Sequence, residues 1–428
     1  MRVKSRLLLT AIWRASGQLR RQLAEAPRDF DGVYVTPYKN GARSAACISA
    51  DFELCWAWRE KPSTECERRG QVERANVPFI LDILEQAEIP ITWATVGHMF
   101  LENCRQSPGG TAHPEMSRPP RNDRWAGDWY VHDPCFDAKT APGWYAPDMI
   151  RMIQASKVHH EIGTHSFSHI DFAEGTSTAD LVRCEIEACI RAMEPFGVRP
   201  RSLVFCFNHM GYQHLDLLYQ LGIIAVRHRD DRLRLAYPEK TPSGVYKLYE
   251  SMNLRLSKRY SYLAKAKVFV DEAIRRGTAY HLWFHPSDER RVFEDAFAPI
   301  VQYLAAKQRE NAVWVATMTE LAAYREARER MRIRATRNGQ TSTLRLECPI
   351  DRERFGDPEV TLCVLSSQTP LSITATASNR PDQPATLSFR FNAGSGLTTF
   401  NVRSSTSDVE IRWPDGHATG TRRGRERL

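Results

Sequence analysis

The stretch that decides the fold runs from Ala45-Ala46-Cys47-Ile48-Ser49-Ala50-Asp51-Phe52 to Ile91-Thr92-Trp93-Ala94-Thr95-Val96-Gly97. Its two ends are short apolar runs that read as buried strands. Between them Val72, Val77, Ile80, Leu81 and Leu84 recur on one helical face, and the pattern stops before Ile89-Pro90. Strand, helix and strand in that order need a crossover connection, and so parallel pairing.

The alternation continues outward from this unit. A helix from Pro147 to Lys157 starts on a proline suited to a first turn and leads into an apolar segment ending at Thr164. Helices follow over 178–195 and 213–221, with strands over 202–207 and 223–227. Residues 228–260 look irregular; helix 261–276, strand 279–284, helix 291–308 and strand 312–317 come next, and a charged helix over about 320–332 closes the series. The fold class is therefore α/β, a distorted (β/α)-barrel of about seven strands over residues 43–333. In such a barrel the chemistry sits at the C-terminal ends of the strands.

An insertion over 103–146 has no periodicity but carries Trp125, Trp129, Tyr130, Trp144 and Tyr145. So long a stretch without regular structure is usually functional or disordered. Its aromatics suit a lid that stacks on sugar rings, with Trp144 a candidate contact, or equally a loop packed over the barrel. Beyond about residue 334 the period changes to two, in segments such as Val360-Thr361-Leu362-Cys363-Val364-Leu365 and Val409-Glu410-Ile411-Arg412-Trp413. This marks a small all-β, sandwich-like domain over 334–418.

Of the 428 residues, 42% are hydrophobic and 26% charged, the balance of a soluble globular protein. The formal charge is +8, and residues 1–24 hold Arg2, Lys4, Arg6, Arg14, Arg20 and Arg21 without an acid. Within the N-terminal segment 1–42, this pattern fits an amphipathic basic helix lying against an inner membrane surface. The tail 419–428 is basic as well. The apolar run 7–13 is too short to span a bilayer and makes a poor secretory signal. None of the ten cysteines forms a C-x-x-C pair. Without an export signal they are expected to be reduced, in a cytoplasmic protein that is peripheral at the inner membrane surface. No nucleic-acid partner is expected, because no recognition helix or zinc finger is visible.

The chemistry-bearing residues gather at the ends of the predicted strands. Asp51 and Glu53 follow the first, His165 and His169 the third, Asn208 and His209 the fourth, and His285 follows Trp283-Phe284. Two carboxylates two residues apart share a strand face, where their repulsion is relieved by a cation or a proton. A pair of imidazoles with a carboxylate suits zinc or a similar divalent ion. His281 shares a face with His285 but lies at the other strand end, so it reads as buried structure.

Together these segments resemble the polysaccharide deacetylases with a NodB-type domain, over about residues 43–325. His160-Glu161-Ile162-Gly163-Thr164-His165-Ser166-Phe167-Ser168-His169 is similar to that family's H-x-x-x-H metal motif with its lead-in. Ser49–Glu53 resembles the first motif, whose leading Asp is the base, and His281–Pro286 the last, whose His is the acid. The resemblance implies a metal-dependent hydrolase that removes N-acetyl or similar acyl groups from an amino sugar in a glycan or glycolipid. Asp51 would be the base and His285 the acid. One divalent ion, zinc by preference, would be held by His165, His169 and Glu53. The family's commoner second aspartate is replaced by Phe52, which shifts the ligand to Glu53. The Pro and Arg of the third motif fall on Cys206 and Phe207, so the arginine that orients the base has no owner here except Asn208 or a residue elsewhere. The oxyanion and the substrate would be met near Asn208 and Tyr212. The alternatives are a catalytically impaired, carbohydrate-binding scaffold and a linear amide hydrolase or deformylase acting on another substrate.

Overall fold

The computed structural model describes residues 28–30, 32–230, 234–257 and 261–415. The basic segment 1–24 and the tail 419–428, with the helix expected in the former, lie outside the described residues. Two compact units result, one built on residues 45–321 and the other on 24–44 with 322–428.

The first unit is organised on one long sheet. Its strands are β1 (Ser44–Phe52), β2 (Thr92–Thr95), β3 (Glu161–Thr164), β4 (Ser202–Leu203), β5 (Ala225–His228), β6 (Glu239–Lys240), β7 (Tyr246–Tyr249), β8 (Met252–Asn253), β9 (Ala279–Phe284) and β10 (Val313–Val315). They are ordered β8-β9-β1-β2-β3-β4-β5-β7-β6, with β10 pairing to β1 as well. Every pair from β8 through to β7 is parallel. All nine residues of β1 are buried, as a strand covered on both faces must be.

The sheet curls because one bent segment, 246–253, reaches both of its ends. β7 pairs with β5, while β8, three residues further on, pairs with β9. Between them Glu250 N donates to His228 O at 2.9 Å and Ser251 N to His281 O at 2.8 Å. The expected barrel of about seven strands is thus present, distorted and joined through this bend.

Helix α1 (Ser63–Ala87) is the long crossover between β1 and β2. It buries Cys66, Gly70, Glu73, Asn76, Val77, Ile80, Leu81 and Leu84, a face at three- and four-residue spacing. It ends at left-handed Glu88, whose N–H caps Leu84 O and Glu85 O. Helix α2 (Pro147–Gln154) starts on its proline, and α3 (Ala179–Met193) is capped by Thr178, whose side chain accepts from Leu181 N. Then come α4 (Leu215–Gln220) and α5 (Tyr262–Arg276); after them a π turn, Phe293–Phe297, leads into α6 (Ala298–Arg309), and α7 (Met318–Arg330) ends the series.

Two expectations for this unit need correction. Residues 228–260 are not simply irregular, since β6, β7 and β8 lie there. They are two to four residues long, with Pro238, Pro242 and Gly244 among them, too short to show a period. The strand expected over 202–207 is paired only through Leu203, and the chain turns at Phe207 and Asn208, which take left-handed φ values of 58° and 55°. That bends the chain into a tight turn instead of extending the sheet.

The second unit contains two antiparallel five-stranded sheets, the layers of the expected sandwich-like domain. One contains Arg28–Phe30, Val33–Val35, Glu359–Leu365, Leu397–Arg403 and Phe389–Asn392; the other contains Arg332–Asn338, Thr341–Glu347, Thr406–Arg412, Ser372–Ala377 and Arg380–Thr386. The unit begins earlier than residue 334 and recruits strands from the N-terminal segment, with Val33–Val35 pairing against 362–364. Strand Arg332–Asn338 falls partly where the charged helix was expected to run on. Of its seven residues only Arg332-side neighbour Ile333 and no other is buried, so it carries little apolar alternation.

Candidate active site

Parallel pairing sets the C-terminal ends of β1, β2, β3, β4, β5 and β9 along one rim. Asp51 stands at the end of β1 and is 3% exposed. Arg227, in β5, grips it through two bonds, Nη1 to Oδ1 at 2.5 Å and Nη2 to Oδ2 at 2.7 Å. Such a fork fixes the plane of the carboxylate. The guanidinium also donates to Asn208 Oδ1 and Ser49 Oγ, both at 3.2 Å, and lies 4.4 Å from the centre of the Trp283 ring. Burial pulls the Arg227 pKa down, but the Asp51 carboxylate outweighs it and leaves the value raised. The guanidinium stays charged.

Glu53 sits just beyond the strand, where its backbone is pinned from α1. The buried Glu73 accepts from Glu53 N and from Leu54 N, each at 3.0 Å. Glu53 Oε1 lies 2.8 Å from His165 Nε2 and 3.2 Å from His169 Nε2. Burial pushes the Glu53 carboxyl up, but the His285 charge and these two imidazoles hold it well below its ordinary range.

The two histidines are delivered by the turn that follows β3. Ser166 and His169 both take left-handed φ, 57° and 56°, which reverses the chain within one turn. Buried Glu185 of α3 holds that turn, accepting from Ser168 N at 2.8 Å and Ser168 Oγ at 2.6 Å. Trp129 of the insertion donates to the same hydroxyl at 2.8 Å. On β3 itself, a Cβ at Gly163 would meet Ser202 O at 3.0 Å, so β3 and β4 approach closely only because the side chain is absent.

His165 Nδ1 donates to Val204 O at 2.7 Å. With that nitrogen committed, Nε2 carries either a second proton or a bare lone pair facing Glu53. Burial lowers the His165 pKa, but Cys206 and Glu53 together hold it well above the ordinary value. A divalent ion would do the work of that second proton, balancing the carboxylate while accepting the imidazole lone pair. The donors therefore fit one. Donor atoms of Asp51, Glu53 and His165 lie within 4.8 Å of one another, as do those of His165, His169 and Cys206. The Cys206 thiol, which burial would raise, is brought down to about 6 by the two histidines.

His285 closes the group from β9. Its Nε2 lies 3.9 Å from Asp51 Oδ2 and 3.9 Å from Glu53 Oε2, and its side chain is 27% exposed, against 4% for each carboxylate. The exposed side is thus the imidazole's. The His285-Pro286 turn is held by Asn76 of α1, whose Nδ2 donates to Pro286 O and Asp288 O at 2.8 Å.

The structure thus brings Asp51, Glu53, His165, His169 and His285 together, with Asn208 linked to Asp51 through Arg227. Tyr212 is 45% exposed and its hydroxyl lies 2.8 Å from His228 Nδ1, so it flanks β5 rather than the carboxylates. Trp144 is packed edge-on against Trp56, 5.4 Å between centroids, and ties the loop to the segment that follows β1. Trp129, Tyr130 and Tyr145 are buried, which favours the packed loop over a lid of free rings. His281 is buried with Nε2 2.9 Å from Ser49 Oγ, the structural position expected of it. Arg227, Glu73 and Glu185 were not anticipated. The only signal for Arg227 is a charge at the end of the apolar run Ile223-Ile224-Ala225-Val226.

Residues 69–225 match the polysaccharide deacetylase family, a segment containing His165, His169 and Asn208. Among solved structures, the chain is similar to a Mycobacterium smegmatis protein described as a polysaccharide deacetylase, at 16% identity over 72% of this chain and 96% of that one, TM-score 0.47. It is also similar to a Streptococcus mutans CE4 esterase, at 14% identity over 64% and 86%, TM-score 0.35. A third is a mutant of a CE4 family pseudoenzyme with restored activity, at 15% identity over 65% and 67%, TM-score 0.34. No curated protein matches the chain.

Proposed function

We propose that this chain, whose residues 69–225 belong to the polysaccharide deacetylase family, is a metal-dependent hydrolase that removes N-acetyl or similar acyl groups from amino sugars of a glycan or glycolipid. One observation carries the reading. Two carboxylates two residues apart are committed to opposite tasks, Asp51 clamped by Arg227 and Glu53 turned to two imidazoles, with His285 3.9 Å from both.

Glu53, His165 and His169 would hold the ion, zinc by its preference for imidazole and carboxylate, with Cys206 near enough to compete as a ligand. When bound, the ion would polarise the acyl carbonyl and acidify a water molecule. Asp51 takes the proton of the attacking water, its carboxylate oriented by Arg227. His285, the group open to solvent, delivers a proton to the departing nitrogen as the C–N bond breaks. The products are a carboxylate and a protonated amine. Water supplies the oxygen and both protons, so the step balances. Asn208 is positioned by Arg227 at the rim, where its amide can meet the substrate.

The impaired-scaffold alternative drew on the arginine missing from Cys206-Phe207. Arg227 offsets that loss, since its fork on Asp51 performs the orienting task from a different strand. Contact with a membrane-bound glycolipid, and a cytoplasmic place at the inner membrane surface, are proposals that rest on the basic composition of residues 1–24. No described helix is long and apolar enough to cross a membrane.

The test is a screen of acetate and formate release by the zinc-loaded protein on N-acylated sugars, oligosaccharides and glycolipids. Acetate release from an N-acetylated glycan is expected. Formate release from a non-sugar substrate alone would move the protein to the deformylase reading. Sugar binding without release of either acid would leave the impaired scaffold.

A further inference from the structure

A second group of metal-type donors lies apart from the rim, in the aromatic insertion. It consists of His98, which follows β2, and of Cys104, His113 and Asp133 from the loop. His98, His113 and Asp133 are buried and Cys104 is half-buried. Their donor atoms converge on one point. His98 Nε2 and His113 Nε2 are 3.1 Å apart, His113 Nε2 is 2.8 Å from Asp133 Oδ2, and His98 Nε2 is 3.1 Å from that same oxygen. Cys104 Sγ is 3.5 Å from Asp133 Oδ2.

These separations approach the edges of a coordination tetrahedron. Nitrogen and oxygen ligands about 2.05 Å from a zinc ion stand about 3.3 Å apart, and a sulfur about 2.3 Å from it stands about 3.6 Å from each. Plain hydrogen bonding accounts for the group poorly. If both imidazoles donate to Asp133 Oδ2, two N–H groups face each other across 3.1 Å with a thiol beside them. A cation among four electron-pair donors removes that conflict.

The surroundings are those of a site that holds its ligands in place. Cys135 N donates to Asp133 Oδ1 at 2.9 Å, Tyr145 OH lies 3.0 Å from Cys104 Sγ, and His113 Nδ1 lies 3.5 Å from Glu115 Oε1. Rings of Trp56, Tyr145 and Phe167 pack on His98 at centroid distances of 4.4, 5.0 and 5.5 Å. The insertion has almost no regular structure to hold it, only the isolated bridges Asn103↔Asp137 and Gln106↔Ala112. We infer that His98, Cys104, His113 and Asp133 form a second, closed divalent-metal site, filled by zinc, that fastens the aromatic insertion to the barrel. Four protein ligands leave no open position, so this ion is structural.

The test measures metal in the full-length protein loaded with zinc, and again with cobalt as a spectroscopic probe. Wild type should hold two equivalents of zinc. Cys104→Ser and Glu53→Ala should each hold one, and the double variant close to none. The Glu53→Ala arm reads the rim site, so failure there is distinct from failure here. Cobalt-loaded wild type should show a thiolate-to-cobalt band in the near ultraviolet that Cys104→Ser loses and Glu53→Ala keeps. A band retained in Cys104→Ser would trace to Cys206 at the rim and, with unchanged zinc content in that variant, would overturn the inference. Should Cys104→Ser fail to fold, the wild-type protein still decides. Alkylation of Cys104, followed by mass spectrometry, should rise at least tenfold when zinc is removed by a chelator. Equal labelling with and without the chelator would also overturn it.

Discussion

At the residue scale, the site turns on Arg227. Nothing in the motif order points to it, because the arginine expected near Cys206-Phe207 stands instead at the end of the next strand. Parallel register places Val226 opposite Leu203, so β5 ends beside the turn it replaces. Side-chain reach from β5 to β1, with three strands between them in the sheet, is invisible to spacing along one strand. The histidines, Asp51, Glu53 and His285 were legible because each ends a strand whose apolar run could be read. If Arg227 acts by positioning the base, Arg227→Gln should lower kcat by about a hundredfold while KM and metal content hold. Steady-state kinetics with metal analysis checks this; a rise in KM at constant kcat would make Arg227 a substrate ligand. Glu53→Ala should cost the rim site its ion, and unchanged metal content in that variant would remove Glu53 from the ligand set.

At the element scale, β3 and β9, which deliver the site's histidines, also limit the protein's tolerance of change and of acid. Gly163→Ala sets a methyl against Ser202 Oγ and Ser202 O. It should lower stability by about 1–3 kcal/mol in urea unfolding; an unaltered midpoint would mean that β4 shifts freely. His281 and His160 are buried and neutral, with pKa values brought down to about 3 and about 4, chiefly by burial. His160 Nδ1 accepts from Ile91 N at 3.2 Å, a bond that the protonated ring would lose. An unfolded histidine titrates near about 6.5. Between that pH and the folded values the unfolded chain binds more protons, so stability rises with pH and falls on acidification. Each histidine contributes up to about 1.4 kcal/mol per pH unit in that window. Urea midpoints measured from pH 7 to 5 should therefore decline, and less steeply in His281→Gln; a flat profile would contradict neutral burial. The short strands of 228–260 escaped the sequence because segments of two to four residues cannot display a period.

At the scale of the molecule, the division into a barrel and a β unit was legible from the change of period near residue 334. The use of residues 28–35 by the β unit was not. Val33–Val35 is three residues long and separated from its partner by more than three hundred positions, and antiparallel register leaves no mark in local sequence. A fragment of residues 322–428 would leave 362–364 with a bare strand edge. It should self-associate in size-exclusion chromatography and become monomeric when residues 24–44 are supplied as a peptide. A monomeric fragment without the peptide would show the pairing to be dispensable.

The central claim, that one carboxylate of the rim does chemistry and the other holds an ion, is tested most directly by Asp51→Asn. Turnover and metal content are measured on the same zinc-loaded preparation, with an N-acetylated glycan that the wild type deacetylates. The prediction is wild-type metal content with acetate release reduced at least about a thousandfold. Turnover retained in Asp51→Asn, or an ion lost from the rim along with it, would contradict the assignment.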